Sequence, residues 1–274
     1  MITFLKKFVS DITLIFSILC VVGLIYFHSN LIWISIVIAA ILTGFIPAIV
    51  HEDWTHKNII PKNLWIKYIF DLVAYLVIIL PFQGAARISP RLMWTKTHLF
   101  HHKVWRQPGD FTQKYIDEHT LLVLLFTTKF KKPFPLFDND DEFKSATNQH
   151  KKELDKISLF IDNYYTILVT SIHLICLLTL GVELYFYILL LPTWISVRAM
   201  IWFGDILPHR NIKTKEEERD LDLSWLGSSA AYHISHHYHP NDITVGKGQR
   251  KYFNIMFYIV TIFYVLSPNS KFRN

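Results

Sequence analysis

The chain is poor in charge and almost without cysteine. Only 18% of its 274 residues are Asp, Glu, Lys or Arg, against 51% hydrophobic; a soluble domain carries about 25% charged residues. The two cysteines, Cys20 and Cys176, both lie inside apolar runs. They cannot form a disulfide framework or a C-x2-C zinc site, and read as small buried hydrophobes in a reducing setting. No G-x-G-x-x-G, no His-Pro-Gly-Gly and no H-E-x-x-H is present, so a dinucleotide fingerprint, a haem motif and the zinc-protease motif are all missing. Internal repeats, low-complexity linkers and a cleavable signal peptide are also not expected.

Apolar runs fill the space that charge leaves. Ile12–Phe27 is uncharged but short for a membrane crossing, and Leu31–Val50 is a good spanning helix. Ile157–Leu180 and Val182–Phe203 form a second pair joined at Gly181 with no Lys or Arg in the connection. The expected fold is an all-α integral membrane protein, one domain over 1–274. It has four transmembrane helices in two hairpins (about 12–28, 31–50, 157–180 and 182–203). Lys6 and Lys7 before the first hairpin, Lys151, Lys152 and Lys156 before the second, and Arg210 and Lys213 after it place the outer ends in the cytoplasm. Leu64–Phe82 is apolar but holds Lys67 and Asp71. A single crossing there would put the His51 and His98 segments on opposite sides, so it reads as in-plane or re-entrant. Leu121–Phe126 is too short to span and Tyr252–Leu266 reads as an interfacial or short closing helix. The net charge of +6 is spread at run ends and in loops, which fits an anionic membrane surface rather than nucleic acid. The charged stretches 213–222 and 138–142 read as solvated.

Histidine is the abundant chemical residue. There are fourteen, and eight of them form three clusters: His51-x4-His56, His98-x2-His101-His102 and His233-x2-His236-His237. In H-x2-HH the residues i, i+3 and i+4 share one helical face, so three imidazoles can aim at one place. The pair His51 and His56 diverges on an ideal helix; helix-end distortion, or ligation of two different ions, would accommodate it. Eight imidazoles exceed what one ion takes, and imidazole serves Fe, Zn, Cu and Ni alike. The Glu-rich pattern of soluble di-iron bundles is missing, and two O2-activating irons in an all-nitrogen site fit best. His28, His119, His150 and His173 stand apart from the clusters and read as structural or solvated, and His239 points away from the face of the third cluster.

These residues resemble the membrane fatty acid desaturase superfamily, which includes acyl desaturases, alkane and carotenoid hydroxylases and carotenoid ketolases. Arg91-x2-Trp94-x3-His98-x2-His101-His102 followed by Pro108-Gly109-Asp110 is similar to the family's second box, and Phe203–Arg210 and His237–Pro240 are similar to carotenoid ketolase segments. The resemblance implies nine metal ligands, His51, His56, His98, His101, His102, His209, His233, His236 and His237, holding two Fe ions. Glu52, Asp53, Asp110 and Asp205 become candidate partners for imidazole N–H groups. It further implies O2 as co-substrate, oxidation of an unactivated C–H of a lipid or acyl chain, and a separate electron donor of ferredoxin or cytochrome b5 type. A four-residue gap between His51 and His56 is frequent in acyl desaturases, whereas carotenoid ketolases usually have three. The leading expectation is an acyl desaturase, the second a carotenoid ketolase or hydroxylase, and the non-enzymatic one a His-rich metal transporter.

Overall fold

The computed structural model describes residues 12–79, 89–105, 107, 110, 113, 116–117, 140–210, 233–241, 259–260 and 262–268. Those residues are mostly helical. Helix α1 covers Ile12–Phe27 and α2 Ile32–Pro47. The π-helical segment π1, Ala48–Thr55, continues α2 without a break. Then come β1 (Ile59–Pro61), α3 (Leu64–Ile78), α4 (Pro90–Val104), α5 (Asp140–Glu153) and α6 (Lys156–Tyr185). A second π segment, π2 (Phe186–Leu190), leads into α7 (Leu191–Met200), a third, π3 (Ile201–Ile206), and the turn Leu207–His209. Helix α8 (His233–Tyr238) and strand β2 (Tyr264–Leu266) complete the described chain.

Two helical stretches are long and apolar enough to cross a membrane, Ile32–Thr55 and Lys156–His209. The second is interrupted where the sequence places a turn. Gly181 has φ 74° and ψ 168°, a backbone region that is essentially glycine-only. Nδ1 of His173 lies 2.9 Å from the Tyr185 hydroxyl across this point. On a straight helix those residues would be about 18 Å apart along the axis, so the chain folds back sharply at Gly181. Helix α1 spans sixteen residues, about 24 Å, short of a hydrocarbon core of about 30 Å.

Local signals set the helix starts. Asn63 accepts from Trp65 N at the start of α3. Ser89 accepts from Leu92 N ahead of Pro90 at the start of α4, and Asp155 accepts from Ile157 N and Ser158 N before α6. Each is a side-chain N-cap. The main core joins the end of α2, π1, α3, α6 and the C-terminal residues Val260 and Tyr264, around Ile49, Trp54, Ala74, Tyr75 and Val169. A second cluster packs Phe16 and Cys20 of α1 on Phe186, Tyr187 and Leu191. Large apolar side chains also face outward, among them Val22 and Ile25 of α1, Trp33 and Val37 of α2, and Ile175 and Leu178 of α6.

Two expectations are corrected. The chain is not purely α-helical: β1 and β2 pair antiparallel, Ile59 with Leu266 and Pro61 with Tyr264. The closing segment therefore ends as a strand, because Tyr264, Val265 and Leu266 pair with the extended Ile-Ile-Pro run, where Pro61 tolerates an edge. Of the segment Leu64–Phe82, expected as in-plane or re-entrant, Leu64–Ile78 forms helix α3, and residues 80–82 lie outside the described residues. Leu121–Phe126, His119 and the loop 213–222 lie outside the described residues.

Candidate metal centre

The histidines meet in two adjacent groups. His56, His98, His102 and His236 form one, with their ligating atoms all within 4.8 Å of one another; His101, His209 and His237 form the other, to the same tolerance. In the first group Nε2 of His98 is 2.9 Å from Nε2 of His102 and 3.2 Å from Nε2 of His236. In the second, the ring of His101 is 5.1 Å from that of His209 and 4.6 Å from that of His237. The rings of His102 and His237, one from each group, lie 4.3 Å apart. Helices α4 and α8 thus each serve both groups through their consecutive histidines.

The awkward spacing of His51 and His56 is met by the backbone. Five α-helical residues leave two side chains about 140° apart. Segment π1 uses i→i+5 bonds instead, and His56 N donates to His51 O at 2.9 Å. Both rings then face α4: His51 lies 4.4 Å from His98 and 5.5 Å from His236, and His56 lies 5.3 Å from His98. His51 stacks beside the four-histidine group without being among its four converging ligands. A third π segment, π3, stands immediately before the turn that carries His209.

Burial favours the neutral imidazole, the form that binds metal, across the four-histidine group. It lowers the pKa of His56 to about 4. His102 is lowered to about 2 by burial and by the neighbouring histidines. His98 and His236 are held well below the usual histidine value for the same reasons. Asp110 Oδ1 lies 3.0 Å from His101 Nδ1, which directs Nε2 of that ring at the group, as a carboxylate orients a metal-bound imidazole.

The other carboxylates behave differently. Asp53 pairs with Arg91 at 3.9 Å and accepts from the Tyr264 hydroxyl at 3.2 Å, facing an ionic network instead of an imidazole. Glu52 accepts from Asn58 Nδ2 at 2.7 Å, and the same amide donates to Pro240 O at 2.9 Å, tying π1 to the end of α8. The side chains of Asp205 and His233 lie outside the described residues. His239 is exposed and apart from both groups. His150 and His173 belong to neither group: His150 Nε2 is 3.1 Å from Asp162 Oδ2, and His173 contacts Tyr185.

Several residues at the centre carried no recognisable signal in the sequence. Trp105 stacks on His237 at 4.4 Å, Asn58 links two elements, and Gln113 Nε2 donates to the His209 carbonyl at 3.0 Å. Arg91, Asp71 and Lys67 had a partial one, since Lys67 and Asp71 are charges spaced i,i+4 in an apolar run.

The donor set, nitrogen ligands only in groups of four and three, buried or half-buried, could hold a transition-metal ion in each group. Nitrogen-only coordination admits Fe, Zn, Cu and Ni. The chain matches no protein-family model and no curated protein.

Proposed function

We propose that this chain is a membrane-bound, O2-dependent oxidoreductase that oxidises a C–H bond of a lipid, with two irons held by its histidine groups. The observation that carries the reading is the pairing of two side-by-side imidazole groups, one joined by His56 just after the apolar stretch Ile32–Thr55 and the other by His209 at the end of the apolar stretch Lys156–His209. Iron, when bound, would supply O2 activation and redox chemistry that no side chain offers. His56, His98, His102 and His236 would hold one ion and His101, His209 and His237 the other, with His51 and His233 as further ligands. Asp110 keeps the His101 ring in its ligating orientation.

Four crossings in two hairpins, with the centre and the N-terminus on the cytoplasmic side, complete the proposal. The fold-back at Gly181 supports the second hairpin. The outward apolar faces of α1, α2 and α6 support lipid contact. Electrons come from a separate protein of ferredoxin or cytochrome b5 type.

A fatty acyl desaturase is the first choice of substrate class, on the gap between His51 and His56. A carotenoid ketolase or hydroxylase is the second; the segment Leu207-Pro208-His209-Arg210 favours it, because His209 is fully buried within the three-histidine group. A metal transporter would hold its ligands near the bilayer midplane, whereas His56 and His209 stand at the ends of the two membrane-length stretches. Expression in a host without the protein, followed by fatty acid and pigment profiling, tests the reading. A new unsaturated chain supports the desaturase, and altered pigments support the second choice. Unchanged lipids and pigments together with one exchangeable zinc per chain overturn both.

A further inference from the structure

Arg91 stands on α4 two helical turns before His98, on the face that packs against π1. Its guanidinium reaches three groups. Nη1 donates to Asp71 Oδ2 at 3.3 Å, Nη2 lies 3.9 Å from Asp53 Oδ1, and Cζ sits 5.0 Å over the ring of Trp54. Asp53 and Trp54 belong to π1, and Asp71 to α3. Trp54 Nε1 donates to the other oxygen, Asp71 Oδ1, at 2.7 Å. One carboxylate on α3 therefore receives an N–H from π1 and an N–H from α4. The Thr95 hydroxyl, also on α4, donates to the Trp54 carbonyl at 3.4 Å. Lys67 pairs with Asp71 and donates to Ser158 Oγ of α6 at 3.0 Å. Two cations and two carboxylates are thus buried together, with Asp71 only 1% exposed.

Such a joint is poor at adding stability, since desolvating four charges offsets their attraction. It is good at fixing register. Apolar side chains slide past one another, whereas a planar guanidinium on directed carboxylate oxygens, stacked on an indole, has few alternatives. What it fixes is the seat of π1 against α4, and only one histidine group depends on that seat. The four-histidine group combines His56, at the end of π1, with His98 and His102 of α4. The three-histidine group takes its ligands from α4, the turn Leu207–His209 and α8, with none from π1.

We propose that Arg91 is a positioning residue for the four-histidine metal site alone, an inference that rests on the reading of both groups as metal sites. The Arg91→Met/Asp53→Asn double variant removes the clamp while leaving Lys67 and Asp71 as a balanced pair, so that no buried charge is stranded. Metal per chain is measured on detergent-purified protein reconstituted with iron, and with cobalt(II) as an absorbing probe. The expected count falls from two in the parent to one in the double variant. Adding His236→Ala, within the four-histidine group, leaves one; adding His209→Ala, in the other group, leaves none. Arg91→Lys keeps the charge but not the fork and restores the second ion at 10–100-fold weaker affinity, the range for losing a ligand-supporting contact. Trp54→Phe keeps the ring, loses the N–H to Asp71 and weakens the same site with a milder effect on folding. Elution profile and melting temperature are recorded for every variant. Retention of two ions, or parallel loss of both, overturns the proposal. A parent that takes up no metal at all overturns the metal reading itself, and the clamp falls with it.

Discussion

The rings of His51 and His98 lie 4.4 Å apart, although the apolar helix α3 separates them in sequence. A helix that crossed a bilayer once would leave its flanks about 30 Å apart, so under the proposed membrane arrangement α3 begins and ends on one side. With Cys20 and Cys176 replaced by alanine, single cysteines at Lys57 and Lys103, both exposed, should react with an impermeant maleimide from the same side of sealed vesicles. Labelling from opposite sides would refute the shared centre.

Asp110 offers a sharper test of the three-histidine group. Its carboxylate holds His101 Nδ1 at 3.0 Å, and both groups are buried. Asp110→Asn keeps the shape but weakens the acceptor, and should loosen one of two ions 10–100-fold. Chelator competition reads this as a biphasic release in which only one phase moves. Two unmoved phases would remove Asp110 from the site.

How much of this was written in the sequence depends on how local the signal is. H-x2-HH is a local pattern and falls on helices in α4 and α8, but its imidazoles do not aim at one place: His98 and His102 join one group and His101 the other, and His236 and His237 are divided in the same way. Gly181 is also local: an uncharged apolar run broken by one glycine predicts a turn, and the backbone there adopts it. The π register of π1 is not local. It joins two histidines whose α-helical spacing diverges, and only packing against α4 selects it. The pairing of Ile59–Pro61 with Tyr264–Leu266 is a long-range contact that periodicity cannot report. Asp53 sits beside ligand candidates in sequence, yet the phase of π1 turns it toward Arg91.

Acid should unfold the metal-free protein by a route written in its buried rings. In the unfolded chain a histidine titrates near pH 6.5. In the fold, His56 is lowered to about 4 and His102 to about 2, with His98 and His236 also lowered. The unfolded state therefore binds more protons below pH 6.5, and stability rises with pH up to that value. The melting temperature of metal-free protein should hold level from pH 8 to 7 and fall steadily from 6.5 toward 4. Loading with metal should displace the fall to lower pH. A flat profile between pH 6.5 and 4.5 would mean that the rings are not buried neutral.

His150 separates stability from metal binding. Its Nε2 lies 3.1 Å from Asp162 Oδ2 and 3.4 Å from Ser89 Oγ, joining α5 to α6 and to the cap of α4. His150→Ala should lower stability by about 1–3 kcal/mol, the cost of removing one partner of a buried polar contact, while both ions stay bound. Loss of an ion would place His150 closer to the centre than its contacts do.

Gly181 and Gly23 should fail for different reasons, and the difference is measurable. At Gly181 a Cβ meets nothing within 4 Å, but φ is 74°; alanine there costs about 1–3 kcal/mol through the backbone alone. At Gly23, in α1, a Cβ would collide with the ring of Phe186 in π2, so alanine costs through overpacking, about 1–3 kcal/mol. Phe186→Leu relieves the second and cannot touch the first. In a double-mutant cycle on melting, Gly23→Ala with Phe186→Leu should therefore be strongly non-additive, and Gly181→Ala with Phe186→Leu should be additive within about 0.5 kcal/mol. No coupling in the first pair would show that α1 does not rest on π2 through Gly23, and coupling in the second would show that the cost at Gly181 does not come from its backbone alone.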